Sequence, residues 1–140
     1  MEIDAAHRVD GYRAGLAAAG VHLPDRYVSR GAFGVDEARR QAHALFDLPD
    51  PPTAIFAHSD VQAVGVLTAV ADRGWHCPDD VAVIGFDDLD FADYLGLTTI
   101  AQPLRESGRV AAGLLLGRIN DPTAPTQVEL PLHLIHCATA

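Results

Sequence analysis

Val81–Pro103 reads VAVIGFDDLDFADYLGLTTIAQP. A nearly all-apolar run, Val81 to Phe86, leads straight into Asp87 and Asp88, with Asp90 close behind. A short apolar run bounded by turn residues matches a strand covered on both faces. Two carboxylates at the end of such a strand have four readings. They are catalytic acids, metal ligands, acceptors for a polar ligand, or plain turn residues.

Downstream, Leu97–Gln102 (LTTIAQ) reads as another strand. Pro103 suits the first position of a last helix that runs to about Asn120. NDPTAPT is a loop, and VELPLHLIH closes the chain as a strand interrupted by Pro131. Upstream, Ala54–Ala57 (AIFA) is a short buried strand, and Ser59 or Asp60 can cap a helix from Val61 to Arg73 ended by Gly74. Before the break LPDPPT, a helix spans about Val35 to Asp47, with Ala38, Ala42, Leu45 and Phe46 inward. Tyr27–Ser29 is a short candidate strand. Asp4 can cap a first helix striped by Ala5, Val9, Tyr12, Leu16 and Ala19. Asp88 can cap a short segment from Leu89 to Tyr94.

Strands alternating with helices predict an α/β fold, a parallel sheet with helices on both faces. Such sheets bind ligands beyond the carboxyl ends of their strands, which is where Asp87 and Asp88 fall. Two helices carry more apolar surface than one sheet face needs. In the third, Val64 and Val66 lie about 200° apart on the wheel. The last has Leu104, Ala111, Leu115 and Ile119 on one stripe, with Val110 and Leu114 beside it.

The 140 residues are about half apolar (49%), enough for one domain with a core. No run of 18 apolar residues appears, so no segment is expected to span a membrane. The opening MEIDAAHRVDG has no apolar signal-peptide core, which points to the cytoplasm. Net charge is −9, and no basic patch for nucleic acid is visible. Cys77 and Cys137 lack motif spacing and read as small hydrophobes. There is no G-x-S-x-G elbow, P-loop, G-x-G-x-x-G or H-E-x-x-H. His76–Cys77 and His136–Cys137 are adjacent pairs, and strand neighbours point to opposite faces, so no shared metal is expected. Mg²⁺ on Asp87–Asp88 would want a phosphate-binding loop that the sequence does not offer. Asp88 is read as a turn or cap residue, and Asp87 as a ligand acceptor.

The stretch PPTAIFAHSDVQAVGVLTAVADRGWHCPDDVAVIGFDDLDFADYLGLTTIAQPLRESGRVAAGLLLGRI resembles the effector-binding domain of LacI/GalR-type (lactose-repressor family) transcription regulators. Its blocks are P-T-A-I-F-A-H-S-D-V-Q-A-V-G, then the G-F-D-D turn after its apolar strand, then L-T-T-I-A-Q-P. Upstream, HRVDGYRAGLAAAG resembles the family's R-x-x-G-[FY]-x-x-A-L segment.

The resemblance implies a two-lobed, periplasmic-binding-protein-like fold (type I) with a ligand cleft between lobes. This chain corresponds to the C-terminal lobe, residues 1–102 and 126–140. Residues 103–125 form a return helix and loop belonging to a first lobe. The family's helix-turn-helix, hinge helix and most of that first lobe have no counterpart here. The resemblance implies a small-molecule effector, a sugar or a purine-like base, and no cofactor or metal. It implies a homodimer, and operator DNA bound only through the helix-turn-helix.

Residue by residue, it makes Arg8, Phe33, Ser59, Asp60, Asp87 and Gln102 the ligand-site candidates. Arg8 matches a ligand-reaching arginine, Phe33 an aromatic on the cleft wall, and Asp87 the principal acceptor. Ser59 stands where many members have asparagine. Asp60 matches an acid that can instead cap its helix. Gln102 lies at the crossover, as hinge or cleft. Against these stand core packing for Phe33 and a surface ion pair for Arg8. The spare face of the third helix (Ala63, Val66, Val70) with Tyr94, Leu95 and Leu97 is the expected dimer contact. The other classes open to the sequence are a soluble sugar-binding protein of a transport system and an Asp-dependent metal enzyme.

Overall fold

The computed structural model describes residues 2–140, with side chains from residue 6 onward. Helix α1 covers Glu2–Ala18 and α2 covers Val35–Phe46. They are followed by β1 (Ala54–Phe56), α3 (Asp60–Asp72), β2 (Ala82–Ile84) and α4 (Asp90–Tyr94). The chain ends with β3 (Thr99–Ala101), α5 (Leu104–Asn120) and β4 (His133–Ile135). β1 pairs parallel with β2, Ile55 opposite Val83. β2 runs on parallel beside β3 through Gly85 N–H to Thr98 O (2.9 Å) and Asp87 N–H to Ile100 O (2.9 Å). β3 pairs antiparallel with β4. The expected α/β architecture is therefore present, and three parallel strand ends point one way, carrying the loops after β1, β2 and β3.

The core lies between the sheet and the α2–α3 pair. Ala63, Val66, Ala69 and Val70 of α3 join Val81, Val83, Ala42, Phe46 and Leu97 there. Phe46 and Trp75 close one end, with ring centroids 5.0 Å apart. α3 is apolar on two sides because it has two partners within the chain, the sheet and α2. Gly65 permits the second. A Cβ there would lie 2.3 Å from Val35 O and 2.8 Å from the Ala38 Cβ.

This packing corrects the expected dimer contact. Ala63, Val66, Val70 and Leu97 are buried in the chain's own core, at 0 to 5% exposure. The outward apolar surface is a groove of about 310 Å³ lined by Val35, Val61, Val64, Phe91, Tyr94 and Leu95. Tyr94 is 88% exposed on its rim.

Several boundaries differ from expectation. The Tyr27–Ser29 segment is not a strand. Pro24 has φ −64° and starts a 3₁₀ turn, Asp25–Tyr27, in which Tyr27 N–H bonds back to Pro24 O and the following Val28 N–H to Asp25 O. Proline fixes that torsion and favours such a turn. α1 begins at Glu2, so Asp4 lies inside its first turn rather than at its cap. Val9, Tyr12 and Leu16 are half-buried as the stripe requires; the Ala5 side chain falls outside the described part. Pro103 is the residue before α5, not its first. Asp88 does not cap α4: Leu89 precedes that helix, and Asp88 turns at φ 58°.

α5 has no buried residue. Its Leu104, Leu115, Leu116 and Ile119 are all at least 60% exposed. On the opposite sheet face from α2 and α3, α1 leaves an apolar trough of about 320 Å³, which Arg8, Tyr12, Phe56, Ile84, Phe86 and Ile100 help to line.

Candidate functional site

The three parallel strand ends bring together Arg8, His58, Phe86, Asp87 and Gln102. The loop after β1 is pinned to β2 by Ala57 N–H to Ile84 O and Asp60 N–H to Phe86 O, both 2.8 Å. Arg8 reaches over from α1. Its guanidinium donates to His58 O and lies 4.5 Å above the Phe86 ring centroid. A cation over a ring face is attracted by the ring's quadrupole. The arginine is half-buried, and among the described residues it makes no carboxylate ion pair. A guanidinium carries five N–H donors, and the described bonds use few of them.

Asp87 follows directly from the buried Phe86. Its φ of 117° is outside the ordinary range for a residue with a Cβ, and Asp88 after it is also positive at 58°. Each such torsion costs on the order of 1–3 kcal/mol and persists where surrounding structure fixes it. Gln102 Nε2 donates to Asp87 Oδ1 at 2.6 Å. Burial raises the Asp87 pKa above the ordinary carboxylate value. The Gln102 bond opposes this, the Asp60 charge adds to it, and the Arg8 charge opposes it. Burial, followed by the Arg8 charge, holds the His58 pKa below its usual value.

Three of the six candidates, Arg8, Asp87 and Gln102, thus converge. The other three do not. Ser59 is 4% exposed and its Oγ accepts from Gln62 N at 3.1 Å, so it caps α3 rather than facing a ligand. Asp60 is wholly buried, and both its oxygens are taken, by Thr99 Oγ1 (2.6 Å) and Leu89 N–H (2.7 Å). It supports the site without lining it. Phe33 is 67% exposed, which removes the core-packing alternative but leaves it outside the aromatic cluster. The rings beside Arg8 are instead Phe86 and Phe56, and Phe56 stacks on Tyr12 at 5.5 Å and packs on His58 at 5.4 Å.

Sequence reasoning missed His58, Phe56, Phe86 and Tyr12. The usable signal was position: His58 and Phe86 stand where strands β1 and β2 end, beside residues already singled out. Chemically, the cluster offers one acceptor acid, a multi-donor cation, an amide, an imidazole and ring faces. That suits a neutral polar ligand held by hydrogen bonds and stacking. Among the described residues, no three His, Cys, Asp or Glu side chains converge to hold a metal ion.

Residues 4–137 match the family model for the periplasmic binding protein-like domain. The chain is 41% identical over 115 residues to the HTH-type transcriptional repressor CytR of Escherichia coli K12, covering 81% of this chain and 34% of that protein. It is 38% identical over 122 residues to the ribose operon repressor of the same organism, covering 86% and 37%. It thus spans about a third of the length of these relatives. Among solved structures, the CelR–cellobiose complex of a transcriptional regulator superposes with TM-score 0.87 at 34% identity, over 96% of this chain and 42% of that one. A LacI-family regulatory protein from Chloroflexus aggregans gives TM-score 0.87 at 31% identity, over 94% and 49%. The chain belongs to the periplasmic binding protein-like domain family, in the form carried by LacI/GalR-type transcriptional regulators.

Proposed function

We propose that this chain is the C-terminal lobe of the effector-sensing domain of a LacI-type regulator, with a sugar or nucleobase-like effector. The carrying observation is the convergence of Arg8 and Asp87 at the strand ends, with Gln102 of the crossover bonded to Asp87. Asp87 accepts from a ligand hydroxyl or N–H, Arg8 donates, and the ring cluster supplies stacking surface. Nothing in the cluster pairs a nucleophile with a base, and the relatives are repressors. The chain is read as a binding module, not an enzyme.

The division into residues 1–102 with 126–140, and a return segment 103–125, is part of this reading. It is supported by the exposed apolar stripe of α5, which would pack on a first lobe. So is homodimer formation, now through the Val61, Val64, Phe91, Tyr94 and Leu95 groove, since a two-fold contact places one patch on both subunits. Operator binding belongs to a helix-turn-helix, and action in the cytoplasm follows from that role. Among the described residues no helix is long and apolar enough to cross a membrane.

The test is calorimetry on this lobe joined to its first lobe, titrating ribose, cellobiose, free purines and nucleosides. Saturable binding of one of these, lost on Asp87→Asn and on Arg8→Ala, supports the reading. Binding of an effector that ignores both substitutions overturns it.

A further inference from the structure

Among the described residues, Asp60 is the one buried charged side chain. A buried carboxylate persists only when its acceptors are used. Its place at the first position of α3 does not account for it, because Ser59 already caps that helix through Gln62 N–H. The helix N-terminus favours the negative charge, but the described bonds of the carboxylate go to groups outside α3. Oδ1 takes the Thr99 hydroxyl of β3 at 2.6 Å, and Oδ2 takes Leu89 N–H at 2.7 Å.

One of those partners, Leu89, directly follows the strained turn, and the other, Thr99, lies on β3 next to Ile100. Asp87 and Asp88 both carry positive φ. Before them the chain is fixed by Asp87 N–H on Ile100 O at 2.9 Å. After them it is fixed by Leu89 N–H on Asp60. Asp88 itself is exposed, and its side chain makes no described hydrogen bond. The approach is close enough to dictate Gly85, since a Cβ there would lie 2.3 Å from Asp60 Oδ1.

We propose that Asp60 is a positioning residue whose carboxylate, through Oδ2 on Leu89 N–H, ties the end of the Asp87–Leu89 turn to the start of α3, while the Thr99 hydroxyl only satisfies Oδ1. This clamp aims the Asp87 carboxylate at Gln102 and, on the effector-site reading above, at the ligand. A simple stabilising role would make Asp60 and Thr99 equivalent, because each is half of the same buried bond. The clamp makes them unequal, because only Asp60 holds the residue after the turn.

The test needs no ligand, so it stands or falls apart from the effector reading. The readout is the Gln102 side-chain amide in ¹⁵N-labelled 140-residue chain, assigned by its loss in Gln102→Leu. Bonded to a carboxylate, its donating proton is shifted downfield and protected from exchange. Asp60→Ala is expected to return both amide protons to free-amide positions. Asp60→Asn is expected to restore the shifted signal, since its carbonyl keeps Leu89 N–H and its amide donates to Thr99 Oγ1. Thr99→Val is expected to lower stability yet leave the Gln102 signal in place. A folded Asp60→Ala that keeps the shifted signal overturns the proposal, as does a Thr99→Val that loses it equally. Should Asp60→Ala not fold, hydrogen exchange of the wild type decides. Leu89 N–H protected to the level of the β2 amides supports the clamp; exchange at open-loop rates overturns it.

Discussion

The Gln102 side-chain amide donates to Asp87 Oδ1 at 2.6 Å. Asp87 lies in the loop after β2, and Gln102 in the short segment between β3 and α5. The acid expected to receive a ligand is thus already occupied by a group from that segment. A ligand donor arriving at Asp87 competes with that amide or shares the carboxylate with it.

Asp87→Asn keeps the shape of the side chain and replaces one acceptor oxygen with a donor. In the two-lobed protein, calorimetry is expected to show effector binding weakened by about 1.5–3 kcal/mol, the usual value for a hydrogen bond to a charged group. Asp88→Asn is expected to bind as wild type, because Asp88 is exposed and makes no described bond. Equal affinity of Asp87→Asn and wild type for the identified effector would make Asp87 a turn residue only.

The same substitution has a signature in pH. Burial raises the folded pKa of Asp87 above its unfolded value. A carboxyl with a raised pKa holds its proton more tightly when folded. Its contribution to stability is present below the unfolded pKa and is lost as pH rises through the folded one. Asp87→Asn removes this group from the balance. Its melting temperature relative to wild type is therefore expected to be higher at pH 7 than at pH 3. A difference that is constant with pH across that range would show that Asp87 ionises as it does in the unfolded chain.

The proposed dimer groove gives a contrast between two substitutions. Val66 is 5% exposed in the core, so Val66→Glu buries an unpaired charge and is expected to cost more than about 4 kcal/mol, unfolding the chain. Tyr94 is 88% exposed on the groove rim, so Tyr94→Asp is expected to leave the fold intact and shift dimers to monomers. Circular dichroism reads the first outcome and sedimentation the second. A wild type that sediments as a monomer at tens of micromolar removes the interface.

Much of this was legible in the sequence because it is written in local patterns. The apolar run ending at Asp87, the cap at Ser59 and the helix that follows Pro103 each announce themselves within a few residues. What stayed hidden depends on side chains distant in the chain. The second face of α3 reads as spare until Gly65 is seen to admit α2 from 30 residues upstream. Asp60 reads as a cap or ligand contact until Thr99, 39 residues on, takes its oxygen. His58 has no motif of its own, and its place beside Arg8 follows only once α1 lies on the sheet. Tyr27–Ser29 failed for the converse reason. Local β propensity was read where Pro24 had already set a turn.

The chain is not expected to retain DNA by itself. With net charge −9, it releases few counterions from a phosphate backbone. Gel shifts at physiological salt are expected to show no sequence-specific retention of operator-like DNA. Specific retention would place a DNA-reading surface on this lobe.

Arg8 provides the sharpest test of the site's chemistry, because lysine keeps its charge but not its geometry. The guanidinium donates to His58 O while lying over Phe86 at 4.5 Å. Those contacts fix its plane, so that its remaining N–H donors are preorganised for a ligand. An ammonium can occupy the place above the ring but cannot bond His58 O and present a second fork at once. Arg8→Lys is expected to cost about 1.5 kcal/mol or more in effector binding, in line with loss of one charge-assisted bond. Its melting temperature is expected to stay close to wild type, because the half-exposed arginine contributes little to the core. Calorimetry and thermal denaturation on the two-lobed protein read the two quantities separately. If Arg8→Lys binds the effector as tightly as wild type, Arg8 acts only as a positive charge. If it melts far lower with unchanged affinity, Arg8 is a strut between α1 and the loop after β1 and makes no contact with the effector.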